Sequence, residues 1–182
     1  NTDGVGYIRS LQDFNRPVQG IEMSLLGAGG AASSIAIQAA LDGVSVLHIV
    51  NRKGRSWENA LRLANTINDH TACKADVLSY DEEDRLQECL ANSSLLTNAT
   101  SVGMAPDSEQ TPIQNPSWLH SDLFVSDIIY NPRQTRLLKD ASQRGCPTGN
   151  GMYMLLYQGE AAFHFWTGLD MPVEEIRKKY FS

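Results

Sequence analysis

Residues 23–32 constrain the fold most strongly, because an apolar segment leads directly into a glycine-rich turn and then into a run of small residues. A buried parallel strand that hands over to a helix packed on the same sheet needs a tight turn of this kind, and Gly27, Gly29 and Gly30 leave no Cβ in the path of a phosphate. The helix would also point free N–H groups and its positive dipole end at that place. The pattern predicts a dinucleotide site, although a purely structural strand-to-helix turn has the same sequence requirements. The residues predicted to bind the cofactor here are Gly27, Ala28, Gly29, Gly30 and Ala31.

Strand-like and helix-like segments alternate along the whole chain. The predicted strands are 22–26, 45–50, 74–78, 94–98, 123–130 and 146–149. The predicted helices are 5–14, 31–41, 56–68, 81–92, 135–144, 152–167 and 173–181. This alternation predicts an α/β fold with a Rossmann-like, doubly wound parallel sheet of about six strands and flanking helices.

Composition favours a small-molecule partner. The 182-residue chain has a net charge of −6, which argues against a nucleic-acid partner or an anionic membrane surface, since both would require a basic face. No apolar run approaches the roughly 18 to 20 residues of a membrane span, and no secretory leader opens the sequence. The three cysteines show no C-x-x-C spacing, so we expect reduced thiols in a cytoplasmic protein and no metal site.

The end of the second predicted strand should meet the adenosine ribose, where an acidic residue would select NAD. This sequence instead has Asn51, Arg52 and Lys53. A guanidinium pairs well with a 2′-phosphate, so the segment favours NADP over NAD as the cofactor. Two alternatives stay open, namely a solvated loop whose cations bind nothing and a site that accepts both cofactors.

Three further polar residues are candidates for contacts with a substrate. Asp3 lies at the start of the first predicted helix, where it either caps the helix or serves as a catalytic carboxylate. Tyr130 and Gln158 carry polar tips on otherwise apolar segments, which suits substrate orientation but is equally typical of a core tyrosine or a surface amide. His48 lies within an apolar strand and is predicted to be a packed or edge histidine.

Several short motifs, in this order, resemble the shikimate dehydrogenase family. They are Asn1-Thr2-Asp3-Gly4, the glycine turn at 27–31, Asn51-Arg52, residues 98–104, residues 127–132, and Asn150-Gly151 with Tyr157-Gln158-Gly159. The Asn-Arg-Lys segment and Trp-Thr-Gly at 166–168 are most similar to the quinate/shikimate dehydrogenase branch.

The resemblance implies an NAD(P)-dependent oxidoreductase. Such enzymes exchange hydride between NADP(H) and 3-dehydroshikimate or shikimate, or act on quinate, in aromatic amino-acid biosynthesis or quinate metabolism. Asp3 matches the carboxylate of the family's catalytic Lys–Asp pair, and Asp3, Tyr130 and Gln158 match substrate-binding positions. Further cofactor contacts are implied for Thr100, Ser101, Ile128, Tyr130 and Gly151.

The lysine of that pair has no counterpart in this chain, because in the family it belongs to a substrate domain that precedes the Asn-Thr-Asp-Gly motif. We therefore expect residues 1–182 to be the NAD(P)-binding domain, with 1–15 and 151–182 contacting a missing N-terminal substrate domain. The isolated chain should bind NADP(H) yet oxidise negligible shikimate. The alternative is a non-catalytic NADP-binding module or sensor. Adding the substrate domain would distinguish the two hypotheses, because it would restore hydride transfer if the chain is part of an enzyme and would have no effect if it is such a module. The sequence does not decide whether shikimate or quinate is the preferred substrate, or whether the protein forms a homodimer.

Overall fold

Six strands form a single sheet in the computed structural model, which describes residues 1–181. The strands are β1 (Glu22–Leu26), β2 (Val46–Asn51), β3 (Lys74–Ser79), β4 (Leu95–Asn98), β5 (Phe124–Asp127) and β6 (Thr148–Gly149). Their order is β3-β2-β1-β4-β5-β6, and every pairing is parallel. The predicted α/β fold with a Rossmann-like parallel sheet is confirmed.

Seven α-helices flank this sheet within residues 1–181. They are α1 (Asp3–Asp13), α2 (Gly30–Leu41), α3 (Trp57–His70), α4 (Glu83–Asn92), α5 (Arg136–Gln143), α6 (Met152–Thr167) and α7 (Val173–Tyr180). The last of them, α7, packs against α6 rather than on the sheet. A short 3-10 helix, Pro116–Trp118, lies between β4 and β5. None of these helices, within the part of the chain described, is long and apolar enough to cross a membrane.

Alternating side chains of the strands build one core on each face of the sheet. Met23 and Leu25 of β1 belong to the core that includes α1, α2 and α3, whereas Leu26 belongs to the core that includes α4 and α5. All three side chains are fully buried. Burial on both faces explains why β1 has apolar side chains on both sides of the sheet rather than on alternate residues only.

The fifth strand is shorter than the sequence predicts. The apolar run 123–130 suggested a strand of that length, but the ladder ends at Asp127. The reason is local, because the carboxylate of Asp127 accepts a hydrogen bond of 3.0 Å from the backbone N–H of Ile129. This bond turns the chain away from the ladder and leaves Ile128 and Tyr130 in a loop at the carboxyl edge of the sheet.

His48 lies between two carboxylates on neighbouring strands. Its Nδ1 is 2.6 Å from Oδ1 of Asp76 on β3, and its Nε2 is 2.9 Å from Oε1 of Glu22 on β1. Burial opposes the charged imidazolium, but hydrogen bonds to Asp76, Cys89 and Glu22 outweigh that effect and raise the pKa of His48 to about 10. His48 is therefore a packed histidine that holds three strands together as a cation.

The stability of the protein should fall at alkaline pH because of His48. The folded state keeps this proton above the ordinary pKa of 6.5 and the unfolded chain does not, so the stabilisation is complete below pH 6.5 and is lost as the pH rises towards about 10. We expect the free energy of unfolding to fall by on the order of 2 kcal/mol. This loss is smaller than the full pKa shift of His48 would give, because water reaches the carboxylates. Urea denaturation of wild type and His48→Gln across this range measures the effect. Parallel pH profiles for the two proteins would contradict it.

Candidate nucleotide site at the carboxyl edge of the sheet

The turn after β1 has the geometry that a phosphate-binding loop requires. Gly27 has a φ of +107°, in the region that favours glycine, and an added Cβ would lie 3.0 Å from the carbonyl oxygen of Ala99. The Gly27 N–H donates to the carbonyl oxygen of Val50 at 2.8 Å, which ties the turn to the end of β2. Positions 29 and 30 have open space where a Cβ would stand. An incoming group can therefore approach the backbone closely.

The N-terminus of α2 presents unpaired backbone donors to this space. The first bond of the helical ladder runs from the Ser33 N–H to the carbonyl oxygen of Gly29, at 2.8 Å. The N–H groups of residues 30–32 precede that bond, and no side chain caps the helix. Donors of this kind, together with the positive end of the helix dipole, form an anion site.

The segment after β2 lies beside the glycine turn because β1 and β2 are neighbours in the sheet. Asn51 is 8% exposed, and its Nδ2 donates to Oγ of Ser56 at 3.0 Å. Arg52 and Lys53 are exposed. Burial raises the pKa of Tyr80, which follows β3, and the nearby charge of Arg52 partly opposes that shift. Asn51 thus shapes the loop, and two cations remain accessible beside the turn.

A buried polar network lies at the ends of β4 and β5. Asn98 and Asp127 are both fully buried, and the Asn98 Nδ2 donates to Oδ1 of Asp127 at 3.1 Å. The other carboxylate oxygen accepts a hydrogen bond of 2.8 Å from the hydroxyl of Thr135, which caps α5. Burial raises the pKa of Asp127 to about 6, against the opposing effect of the hydrogen bonds from Ile129, Thr135 and Asn98.

The same network fixes the loop that contains Thr100 and Ser101. Oδ1 of Asn98 accepts from the backbone N–H of Thr100 at 3.1 Å and from its hydroxyl at 2.7 Å. The Asn98 Nδ2 also lies 3.2 Å from the carbonyl oxygen of Val102. Thr100 is half-buried and Ser101 is exposed, so this loop forms one wall at the carboxyl edge of the sheet.

Gly151 brings the start of α6 against the opposite wall. A Cβ at this position would lie 1.9 Å from the carbonyl oxygen of Ile128, a distance that no side chain can occupy. The Gly151 N–H also donates to the carbonyl oxygen of Ile129 at 3.1 Å. Gly151 and Ile128 were predicted to contact the cofactor only because of the family resemblance. In the structure the two residues are in direct contact with each other.

The predicted substrate residues lie on two touching helices and one loop. Asp3 is the first residue of α1 and no side chain caps that helix, so the capping alternative for Asp3 is wrong. The next residue, Gly4, donates its N–H to Oγ of Ser34 on α2 at 2.9 Å, which fixes the start of α1 against the helix of the glycine turn. Gln158 lies on α6 where it meets α1, and Tyr130 is 49% exposed after β5.

Asp127, Asn98 and Thr135 received no role from the sequence as individual residues, although Asn98 and Asp127 lay within the quoted motifs. The available signal was a polar residue at the end of each of two apolar strands. The sequence could not reveal that these two residues are buried and bonded to each other, because they are 29 positions apart.

Comparison with known proteins agrees with this geometry. A family model described as the shikimate 5'-dehydrogenase C-terminal domain matches residues 151–179. A shikimate dehydrogenase (NADP(+)) from Listeria monocytogenes is 43% identical over 180 residues, which cover 99% of this chain and 62% of the relative. The crystal structure of shikimate 5-dehydrogenase from Listeria monocytogenes, in complex with shikimate and NAD, matches with a TM-score of 0.94 at 44% identity, covering 97% of this chain and 61% of that one. The chain is therefore similar to shikimate dehydrogenases over almost its whole length.

The similarity extends to a relative with two named activities. A quinate/shikimate dehydrogenase from Escherichia coli is 39% identical over 178 residues, which cover 98% of this chain and 62% of the relative. The chain spans about 62% of the length of the curated relatives it matches. The resemblance inferred from the short motifs is confirmed, and it extends over almost the whole chain.

Proposed function

We propose that this chain binds NADP(H) at the carboxyl edge of its sheet, as the cofactor domain of a dehydrogenase that acts on shikimate, 3-dehydroshikimate or quinate. The observation that carries the proposal is the uncapped N-terminus of α2 behind the Gly27 turn. This feature lies where the strand order changes direction, between β1 and β4. Open parallel sheets bind dinucleotides at that point.

The choice of NADP rests on charge at the end of β2. Arg52 and Lys53 are exposed there, and no acidic side chain follows Asn51 directly to pair with a ribose hydroxyl. A planar guanidinium can donate two hydrogen bonds to the 2′-phosphate of NADP. NAD has no phosphate at that position. NAD is the second candidate. One Listeria monocytogenes relative is named for NADP(+), but the crystal structure of shikimate 5-dehydrogenase from that species contains NAD.

The substrate side of the proposal rests on Asp3, Tyr130 and Gln158. The bound cofactor would supply or accept the hydride. A ketone that receives hydride gains negative charge on its oxygen and needs a positioned proton donor. The carboxylate of Asp3 would keep a lysine ammonium of the substrate domain charged and correctly oriented. Tyr130 and Gln158 would orient the substrate through their polar tips.

The same proposal assigns residues 1–15 and 151–182 to the contact with a substrate domain. Near the end of α6, Phe165 is 82% exposed and Trp166 is 79% exposed. Leu169, just beyond the helix, is 63% exposed. Large apolar side chains in one patch are typical of surfaces that bind protein. The relatives contain the additional chain length that would cover this patch.

A titration with two cofactors tests this proposed function. NADPH should bind saturably and about tenfold or more tightly than NADH, because only NADPH carries the 2′-phosphate that Arg52 would bind. Arg52→Ala should remove this preference and leave NADH affinity nearly unchanged. Arg62→Ala, which removes an exposed arginine from α3, is the matched control. Cofactor fluorescence measures the affinity of each of the three proteins for both cofactors, and equal NADPH affinity in wild type and Arg52→Ala would contradict the assignment.

A further inference from the structure

Asp127 is a buried carboxylate that the proposed function does not use. It is fully buried at the end of β5, and no ion pair includes it among residues 1–181. Three donors surround it, namely the side chains of Asn98 and Thr135 and the backbone N–H of Ile129. A buried charge without a cation costs stability, so its retention at this place calls for a functional explanation.

We infer that Asp127 is a positioning residue that holds the two walls of the nucleotide site at a fixed separation, at a cost to the stability of the fold. The inference rests on the proposed function, because it assigns the two walls to the cofactor. One wall is the loop 99–103 and the other is the loop 128–131. Both follow adjacent strands, β4 and β5, at the carboxyl edge of the sheet.

The first wall depends on Asp127 through a single side chain. Asn98 uses its Nδ2 to donate to Asp127, and this orientation leaves its Oδ1 facing the loop, where it accepts from Thr100. The Thr100 hydroxyl oxygen in turn lies 3.1 Å from the backbone N–H of Val102. Because the carboxylate can only accept, it acts together with the Val102 carbonyl oxygen and the Thr100 N–H to fix which end of the Asn98 amide faces the loop. Loss of that acceptor would remove one of the bonds that hold the amide in this orientation.

The second wall is held by the same carboxylate directly. Oδ1 of Asp127 accepts from the Ile129 N–H at 3.0 Å, and Oδ2 accepts from the Thr135 hydroxyl at 2.8 Å. The Thr135 oxygen also lies 3.4 Å from the backbone N–H of Leu138, so it joins the start of α5 to the network. The chain from Asp127 to Thr135 is thereby closed into a loop with Tyr130 at its exposed side.

The cost in stability follows from the direction of the pKa shift. Burial raises the pKa of Asp127 from 3.8 to about 6, so the folded protein holds this proton more tightly than the unfolded chain does. The contribution of Asp127 to stability is therefore highest below pH 3.8 and declines as the pH rises to about 6. Tyr7 on α1 is the titratable group that interacts with this charge, and its pKa is raised to about 12, mainly by burial. At neutral pH a neutral isostere at position 127 should not weaken the fold.

The Asp127→Asn variant tests the role of Asp127 in positioning the walls separately from its effect on the stability of the fold. We expect the variant to bind NADPH about tenfold or more weakly, since its amide cannot accept from all three donors, while its melting temperature at neutral pH stays equal to wild type or rises. Ser24→Ala is the control, because it removes a buried hydroxyl hydrogen bond between Ser24 on β1 and Ser93 without touching Asp127 or either wall. It should lower the melting temperature and leave NADPH affinity unchanged.

A second pair of variants tests the same inference without a change at position 127. Thr135→Val removes the hydroxyl that donates to Asp127, and Thr135→Ser retains it. NADPH affinity should fall in the valine variant and return to the wild-type value in the serine variant. Fluorescence titration well below the melting temperature measures affinity, and differential scanning fluorimetry measures stability.

The outcomes distinguish this inference from the proposed function. Wild-type affinity in both Asp127→Asn and Thr135→Val would overturn the role of Asp127 and leave the proposed function intact. Weaker binding that tracks a lower melting temperature, with Ser24→Ala showing the same trend, would reduce Asp127 to a structural residue and also overturn the inference. Failure of the wild-type chain to bind NADPH or NADH would contradict the proposed function and the inference together.

Discussion

Gly151→Ala is expected to lower the free energy of unfolding by about 3 kcal/mol or more, and to weaken cofactor binding with it. The backbone at Gly151 has a φ of −75° and a ψ of 0°, which alanine adopts readily, so the effect comes only from space. The new Cβ would meet the carbonyl carbon of Ile128 at 2.4 Å and its oxygen at 1.9 Å. Either α6 or the wall 128–131 must move. Urea denaturation measures the loss.

Gly159→Ala in the same helix is the matched control for this prediction. Gly159 lies in the interior of α6 with no atom within 4 Å of an added Cβ, so the substitution should stabilise the protein by about 0.5 to 1 kcal/mol through helix propensity. Opposite signs for the two Gly→Ala changes are the expected result. A Gly151→Ala variant as stable as wild type would show that the contact with Ile128 does not exist in solution.

Gly29→Asp should abolish nucleotide binding without weakening the fold. Gly29 occupies the N-cap of α2 with an extended backbone and open space at its Cβ, so an aspartate fits and can cap the helix. Helix stability should therefore be unchanged or rise by a few tenths of a kcal/mol. The carboxylate would stand where the pyrophosphate binds, and repulsion together with competition for the N–H groups should lower NADPH affinity by about 100-fold or more.

Gly29→Asn adds nearly the same volume without the charge, and so isolates the electrostatic part of the effect. We expect its NADPH affinity to lie between those of wild type and Gly29→Asp, with thermal stability similar in all three proteins. Titration at low and high salt extends the comparison, because screening should narrow the gap between the two variants. Undiminished NADPH binding by Gly29→Asp would remove the N-terminus of α2 from the site.

The sequence predicted those parts of the fold whose causes are local. The strand at 22–26 and the turn at 27–31 are encoded by a mostly apolar segment and by the glycines that follow it, and the structure reproduces both. The end of β5 was misjudged because the run 123–130 stays apolar beyond Asp127. The bond from the Ile129 N–H to that carboxylate forms where the strand ends, and apolar patterning does not encode it.

The candidate site was predicted unevenly for the same reason. Gly27, Arg52 and Gly151 each belong to a recognisable local motif, so the sequence identified them even though it gave Gly151 no physical cause. The contacts of Asp127 with Asn98 and Thr135 depend on which strands are neighbours and how they align. The charge on His48 likewise depends on the register that sets it beside Asp76. Side-chain contacts between strands can be predicted only when the strand order and register are known.

Calorimetric titration of the wild-type chain with NADP⁺ measures directly whether the carboxyl edge of the sheet binds a dinucleotide. We expect saturable binding of one nucleotide per chain, with the heat lost in Gly29→Asp and the preference over NAD⁺ lost in Arg52→Ala. Absence of saturable heat with either nucleotide from a folded chain, or binding that Gly29→Asp leaves intact, would contradict a dinucleotide site at the carboxyl edge of the sheet.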